Sequence, residues 1–337
     1  MPNTTRRKRG RRRRRKGVRA RRVLTLLAAL LLAGAAFVVE NWGGRGGIPT
    51  WSELYTALGV PLNGPDAEVL EQNATTVTVL DVGQGDSVLI GQDGEYCLID
   101  TGTAETRETL VRDLRLAGVR DLRYLILTHP HADHTGGASA VLEGLSVDEL
   151  VLPVWHTGEE GESAWPDGIL ELAAQEGTDV TETAEGDAFP LGSGTLHILQ
   201  GGSAWMQSGD DVNNGSLCLL FEAGDFRYLA TGDAETESEE ALVDRYGSGL
   251  QAVLYKAGHH GSSTSSSERL LSVVQPQAAA ISCGLDNDYG HPHQETLDRL
   301  AAHGVEIYRT DTMGTITFTY ENGVLQASAA EDVQAAA

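Results

Sequence analysis

Apolar residues fall along this chain in two rhythms, and their alternation lays out a fold. Short runs rich in β-branched and aromatic side chains predict strands at Thr75–Val82, Ser87–Ile90, Tyr96–Ile99, Tyr124–Leu127 and Glu149–Val154. The same signal returns at Thr195–Leu199, Leu217–Glu222, Phe226–Leu229, Ala252–Lys256, Ala278–Ser282, Val305–Tyr308 and Thr315–Thr319. Apolar positions spaced three and four apart predict helices at Glu105–Ala117, Gly137–Glu143, Ile169–Ala174, Thr236–Arg245, Glu268–Val274 and Gln294–Ala302. Residues 155–190 are otherwise acidic and Gly-rich, and from Gln326 the Ala-rich chain reads as a disordered tail. Each half is a run of strands followed by strand–helix alternation. That order predicts two sheets packed face to face with helices outside, in one domain over residues 75–325.

Ahead of this domain the pattern changes. Residues 6–22 hold 13 of the 25 Lys and Arg and no acid, and the uncharged run Val23–Val39 follows at once. Its 17 residues only just span a hydrocarbon core of roughly 30 Å. Residues 1–22 are expected in the cytoplasm and 23–39 as a transmembrane anchor, with everything after them exported. A cleaved signal segment is the rival, because Ala33-Gly34-Ala35 offers small residues at a cleavage position. Gly and Pro punctuate residues 40–74, which read as a linker.

Charge sharpens the division. The whole chain carries −23, yet the part after Arg22 has 12 basic against 48 acidic residues, a balance of −36. Such a domain repels polyanions unless its basic residues gather at a cleft, and Arg227, Lys256, Arg299 and Arg309 are few. Cys97, Cys218 and Cys283 match no metal spacing and read as small core residues, with one disulfide as the alternative.

The chemistry concentrates in Thr128–Gly137, T-H-P-H-A-D-H-T-G-G, directly after the apolar run Tyr124–Leu127. His129, His131, Asp133 and His134 lie within six residues. In extended chain, residues i and i+2 point to the same side, so His129 and His131 can reach one ion together. Once the chain turns, Asp133 and His134 can reach a second point. Neutral imidazole with carboxylate suits zinc, manganese or iron.

This stretch resembles the signature of metallo-β-lactamase-fold hydrolases, whose architecture is an αββα sandwich. Asp100 in Leu98-Ile99-Asp100-Thr101-Gly102 resembles the family's early aspartate, and Asp233 in Thr231-Gly232-Asp233 its metal-bridging carboxylate. His259 in Gly258-His259-His260-Gly261-Ser262 stands where the family places its last histidine ligand. A narrower resemblance is to the exported hydrolase domain of ComEC-type competence DNA-internalisation proteins. It rests on Val79–Ser87 (V-L-D-V-G-Q-G-D-S), on His259–Ser262 with Thr264–Ser266, and on Tyr289-Gly290-His291-Pro292-His293.

The resemblance implies two divalent metal ions. His129 and His131 would hold one, Asp133, His134 and His259 the other, with Asp233 between them and a hydroxide shared by both. Asp133 and Asp233 would then carry catalysis, with His293 as a proton donor to the leaving group. Asp81, Asp86, Asp100, Asn214, His260 and His291 are candidates for support or substrate binding. Which of His259 and His260 ligates stays open, and Asp81 and Asp86 can equally organise a Gly-rich turn. His156, His197 and His303 read as structural or surface residues.

Many members of the wider fold carry another histidine between the first cluster and the bridging aspartate. Here that region offers Asp211, Asn213, Asn214 and Ser216, so Asn214 or water would fill in. A nitrogen-poor first site weakens the case for zinc, leaves manganese a serious candidate and argues against β-lactam hydrolysis. The implied activity is phosphodiester cleavage, with single-stranded DNA as substrate and a competence channel as partner. A small or cell-envelope phosphoester is the alternative within the same chemistry, and a metal-binding module without turnover is the alternative outside it.

Overall fold

A computed structural model describes residues 74–155, 165–166, 168–202, 204 and 212–330. The expected anchor Val23–Val39, the basic segment and linker before Ala74, His156 and Asp211 lie outside them. Among the described residues, no helix is long and apolar enough to cross a membrane.

The first sheet has eight strands in the order β15-β14-β1-β2-β3-β4-β5-β6. These are β1 (Thr75–Val79), β2 (Val88–Gln92), β3 (Glu95–Ile99), β4 (Asp121–Ile126), β5 (Ser146–Pro153), β6 (Asp179–Thr183), β14 (Ile316–Glu321) and β15 (Val324–Ala329). The second sheet runs β13-β12-β11-β10-β9-β8-β7. Its strands are β7 (Ala188–Leu191), β8 (Gly194–Gln200), β9 (Cys218–Ala223), β10 (Phe226–Ala230), β11 (Leu254–Lys256), β12 (Ala278–Ile281) and β13 (Glu306–Arg309). Pairing is parallel from β3 through β6 and from β10 through β13, and antiparallel elsewhere.

Three apolar layers hold this together. Between the sheets, Val77, Ile90 and Ile126 pack with Leu219, Phe221 and Tyr228. On the outer face of the first sheet lie α1 (Arg107–Leu116), α3 (Ala138–Gly144) and α4 (Ile169–Glu176), inserting Leu110, Val141 and Ile169. Leu242, Leu270 and Leu300 do the same for the second sheet from α5 (Thr236–Tyr246), α6 (Glu268–Val274) and α7 (Gln294–Ala302). The result is the four-layer αββα sandwich. Two single-turn helices remain, α2 (Ala132–Thr135) and α8 (Thr310–Met313).

The structure corrects the tail. Gln326–Ala329 belong to β15, paired along the whole of β14, and Leu325, Ala327 and Ala329 face the core on every second residue. The Ala-rich composition hid that period of two. Strands β6 and β7 likewise fall in the stretch read as acidic and irregular. At the sheet edge, β6 buries only Thr183, so it shows little apolar signal. All three cysteines are free and buried, which excludes the disulfide among them and leaves core packing.

A candidate dinuclear metal centre

Loops leaving the C-terminal ends of parallel strands gather at one end of the sandwich, the usual ligand-binding end of α/β sheets. Asp100 follows β3, Thr128–His134 follow β4, Asp233 follows β10 and His259-His260 follow β11. Asp100, His259 and His260 adopt φ values of 58°, 49° and 53°, left-handed backbone that is rare for residues with a Cβ. Such strain persists where the surroundings over-determine it, as at functional sites. Gly85 lets the turn after β1 touch the histidine loop: a Cβ there would lie 2.4 Å from the Asp133 carbonyl. That same carbonyl accepts from the Asp86 N–H at 3.1 Å.

Two donor sets converge. His129, His131 and Asp233 place their ligand atoms within 4.8 Å of one another, as do Asp133, His134 and His260. Asp233 stands between them. Its Oδ2 lies 3.3 Å from His134 Nε2, 3.6 Å from His260 Nε2, 3.7 Å from His259 Nε2 and 3.9 Å from His129 Nε2. His129 Nε2 and His131 Nδ1 are 3.0 Å apart. The fit to cations shows in what these atoms lack. Asp233 Oδ1, His134 Nε2 and His260 Nε2 are buried with no hydrogen-bond partner, a costly state that a metal ion relieves.

The supporting carboxylates fix the rings. Asp100 Oδ1 accepts from the Thr128 N–H at 2.8 Å, while its Oδ2 sits 2.7 Å from His134 Nδ1. Asp100 therefore takes the Nδ1–H of His134 and turns Nε2 toward the centre. His260 Nδ1 is held by the Ser282 carbonyl at 3.1 Å, with Asp86 Oδ1 at 3.4 Å. Asp86 is itself paired through Oδ2 to Lys256 Nζ at 2.9 Å, both side chains almost fully buried. A third triad, Asp86 with Asp100 and His134, is close enough for a metal, but its carboxylates are spent on Lys256 and Thr128. Ser216 ties the halves: its hydroxyl accepts from the Asp233 N–H at 3.1 Å and lies 3.2 Å from His129 Nδ1.

Electrostatics divide the histidines. Burial, reinforced by cationic His134, pushes His129 well below the usual imidazole range, and burial also lowers His131. Burial acts the same way on His134 and His260, but nearby carboxylates outweigh it. Asp233 and Asp100 hold His134 well above the usual value, and Asp233 and Asp86 raise His260 to about 10. Burial works to protonate Asp233, yet His134 and His260 keep its carboxyl well below the carboxylate range. The centre is thus a buried charge network in which His134 and His260 would give up protons to a bound cation, so its binding would depend on pH.

Several expectations change here. His260, with 2% of its side chain exposed, is the ring grouped with Asp133 and His134. His259 falls in neither donor set: its Nδ1 lies 3.3 Å from Thr264 Oγ1 and 3.5 Å from Glu235 Oε1, while its Nε2 faces Asp233 Oδ2 at 3.7 Å. His293 is not placed to donate a proton. Its Nδ1 accepts from the Ser263 N–H at 2.9 Å, and its Nε2 meets the Tyr289 carbonyl at 3.3 Å. His291 stands nearer, its ring 5.6 Å from His259 and 6.1 Å from His260. Burial, then the neighbouring His260 charge, lowers His291 to about 4 and keeps it neutral. Gln84 Oε1 accepts from the Gly284 N–H at 3.1 Å, which turns Gln84 Nε2 toward His291 Nδ1 at 3.4 Å and leaves Nε2 as the ring's donor.

Asn214 does not fill a gap at the first site, because its Oδ1 accepts from the Glu235 N–H at 3.0 Å. Asp81 is exposed and caps its own turn through the Gly83 N–H. His197 and His303 pair with Glu222 and Glu268 away from the centre. The four basic residues that the sequence offered for a cleft are all committed to partners. Lys256 is buried on Asp86, Arg227 reaches Glu222, Arg299 holds the Ser263 and Ser265 carbonyls, and Arg309 pairs with Asp311. Sequence reasoning missed the roles of Lys256, Ser216 and Gln84. A lysine in the buried strand L-Y-K was the one available signal, since a charge there demands a counter-charge.

An αββα sandwich with two donor sets meeting on one aspartate defines a class, and residues 80–285 match the family model described as the metallo-beta-lactamase superfamily. The chain belongs to that superfamily. It is 34% identical over 267 residues to ComE operon protein 3 of Bacillus subtilis (strain 168), covering 74% of this chain and 33% of that protein. It is 33% identical over 320 residues to competence protein ComA of Neisseria gonorrhoeae, covering 90% and 39%. The chain therefore spans only between a third and two fifths of the length of these curated relatives. Among solved structures, CmlA, a diiron β-hydroxylase from Streptomyces venezuelae, superposes with a TM-score of 0.51 at 16% identity, over 84% of this chain and 62% of its own. That likeness concerns the fold alone.

Proposed function

We propose that the protein is an exported metallohydrolase that cleaves phosphodiesters, with single-stranded DNA at the cell surface as its substrate. The observation that carries this reading is the pair of donor sets meeting at Asp233, a member of the first whose Oδ2 lies 3.3 and 3.6 Å from His134 and His260 of the second, with buried nitrogens there left without hydrogen-bond partners. His129, His131 and Asp233 would hold one divalent ion, and Asp133, His134, His260 and Asp233 the second, zinc or manganese in either case. Such ions supply Lewis acidity toward a phosphoryl oxygen and a water nucleophile near neutral pH. The chain's own part is orientation: Asp100 aims His134, Asp86 and Ser282 aim His260, and Ser216 sets His129 against Asp233. Neutral His291, with Nε2 as donor, is the group suited to the leaving oxygen.

The name competence protein ComA of one relative, with the motif resemblance to ComEC-type DNA-internalisation proteins, supports DNA as the substrate and a DNA-uptake channel as the partner. The Arg-rich residues 6–22 and the apolar Val23–Val39 support an outward-facing domain on a single membrane anchor, or one released after cleavage of that segment. Protease added to intact cells is expected to digest the anchored domain. Complete protection, with digestion only after lysis, reverses the topology.

One observation favours a second reading. A −36 balance, with Lys256, Arg227 and Arg309 already paired to carboxylates, suits a small or cell-envelope phosphodiester better than a long polyanion. Turnover assays with single-stranded DNA, bis-(p-nitrophenyl) phosphate and a chromogenic β-lactam, each with zinc and with manganese, separate the readings. Metal-dependent DNA cleavage supports the nuclease. Turnover of the small diester alone moves the substrate to the envelope, and bound metal with no turnover on any of the three leaves a binding module.

A further inference from the structure

The loop after β12 carries the two most exposed large apolar side chains among the described residues, Leu285 at 72% and Tyr289 at 67% exposure. Tyr289 is not loose on the surface. Its ring lies 5.6 Å from His291 at an interplanar angle of 19°, and His291 lies 6.1 Å from His260 at 23°. Three near-parallel rings therefore lead from solvent to a side chain of the metal centre. The loop that presents them is fixed by Asn287, whose amide donates to the Gly284 and His291 carbonyls at 2.9 and 2.6 Å. Its oxygen accepts from the Tyr289 and His291 N–H groups at 3.2 and 3.0 Å. An aromatic face held this way loses little freedom on binding.

Charge indicates what that face takes. Asp286 and Asp288 on the same loop are exposed and disfavour a phosphate lying against it. With the neighbouring cations spent internally, affinity for a nucleic acid has to come from its neutral parts. Building on the phosphodiesterase reading, we propose that Tyr289, on the loop it shares with exposed Leu285, is a stacking platform for an unpaired base one or two nucleotides along from the scissile phosphate. The ring's solvent face takes the base, and the phosphate reaches the donor sets two ring-steps away. The platform needs an unstacked, splayed strand, so it selects single-stranded nucleic acid over duplex and over envelope polymers without bases.

The test compares an eight-residue oligothymidylate with its fully abasic analogue of equal charge, using full-length protein loaded with manganese. Wild type is expected to prefer the base-bearing strand about tenfold or more in kcat/KM, the size of a lost base–aromatic stack. Tyr289→Ala should erase that preference by slowing only the base-bearing strand, and Tyr289→Trp should keep it. Equal rates of wild type on both strands, or a preference that survives in Tyr289→Ala, would overturn the platform while leaving the nuclease standing. Cleavage of neither strand by metal-loaded wild type would defeat both.

Discussion

Asp233→Asn is expected to cut turnover by about a thousandfold or more, the scale seen when a preorganised electrostatic group is removed from a reacting centre. The carboxylate is 2% exposed, and its Oδ2 lies within 3.9 Å of nitrogens from four histidines. Asparagine has the same shape and keeps the backbone bond from residue 233 to Ser216, so the fold should survive. What it loses is the negative charge that offsets protonated His134 and His260 before metal binds, and that joins the two donor sets afterwards. Circular dichroism should match wild type, metal content should fall below two equivalents, and hydrolysis should be lost with zinc and with manganese alike. A variant that binds two ions and turns over at the wild-type rate removes Asp233 from the centre of the account.

Lys256→Met should destabilise the protein by about 3–5 kcal/mol, because it strands a buried carboxylate. Lys256 and Asp86 are 2% and 5% exposed at the side chain and meet at 2.9 Å, with the lysine also donating to the Ala257 carbonyl at 2.9 Å. Burial alone would raise the Asp86 pKa, but Lys256 and then His260 hold it far below the usual carboxylate range. Removing both charges in Lys256→Met/Asp86→Asn should recover most of the stability, so the two single losses should be far from additive in urea unfolding. The double variant should still bind metal about 10–100-fold more weakly, since Asp86 also faces His260. A single variant as stable as wild type would show that the buried lysine is dispensable.

Much of this architecture was legible because apolar period and site chemistry coincide. Strands such as Phe226–Ala230 and helices such as Glu268–Val274 bury clear stripes, so their limits read within a residue or two. Strand β6 at a sheet edge and Ala-rich β15 bury too little to announce themselves. At the site, T-H-P-H-A-D-H shows its donors in one local run. The choice between His259 and His260 was not local. It depends on two successive left-handed residues that bring one ring against Asp133 and set the other between Asp233 and Glu235. His293 stands apart for a related reason: beside the Ser263 hydroxyl, its partners are the Ser263 N–H and the Tyr289 carbonyl, backbone groups that no residue pattern displays.

The central claim is that two cations meet on Asp233 and act together. Its most direct test is a titration of chelator-stripped protein with manganese while cleavage of a labelled single strand is followed. Two ions should bind per chain, with hydrolysis appearing only as the second equivalent fills. Full activity at one equivalent, or two bound ions with no phosphodiester cleaved, would contradict it.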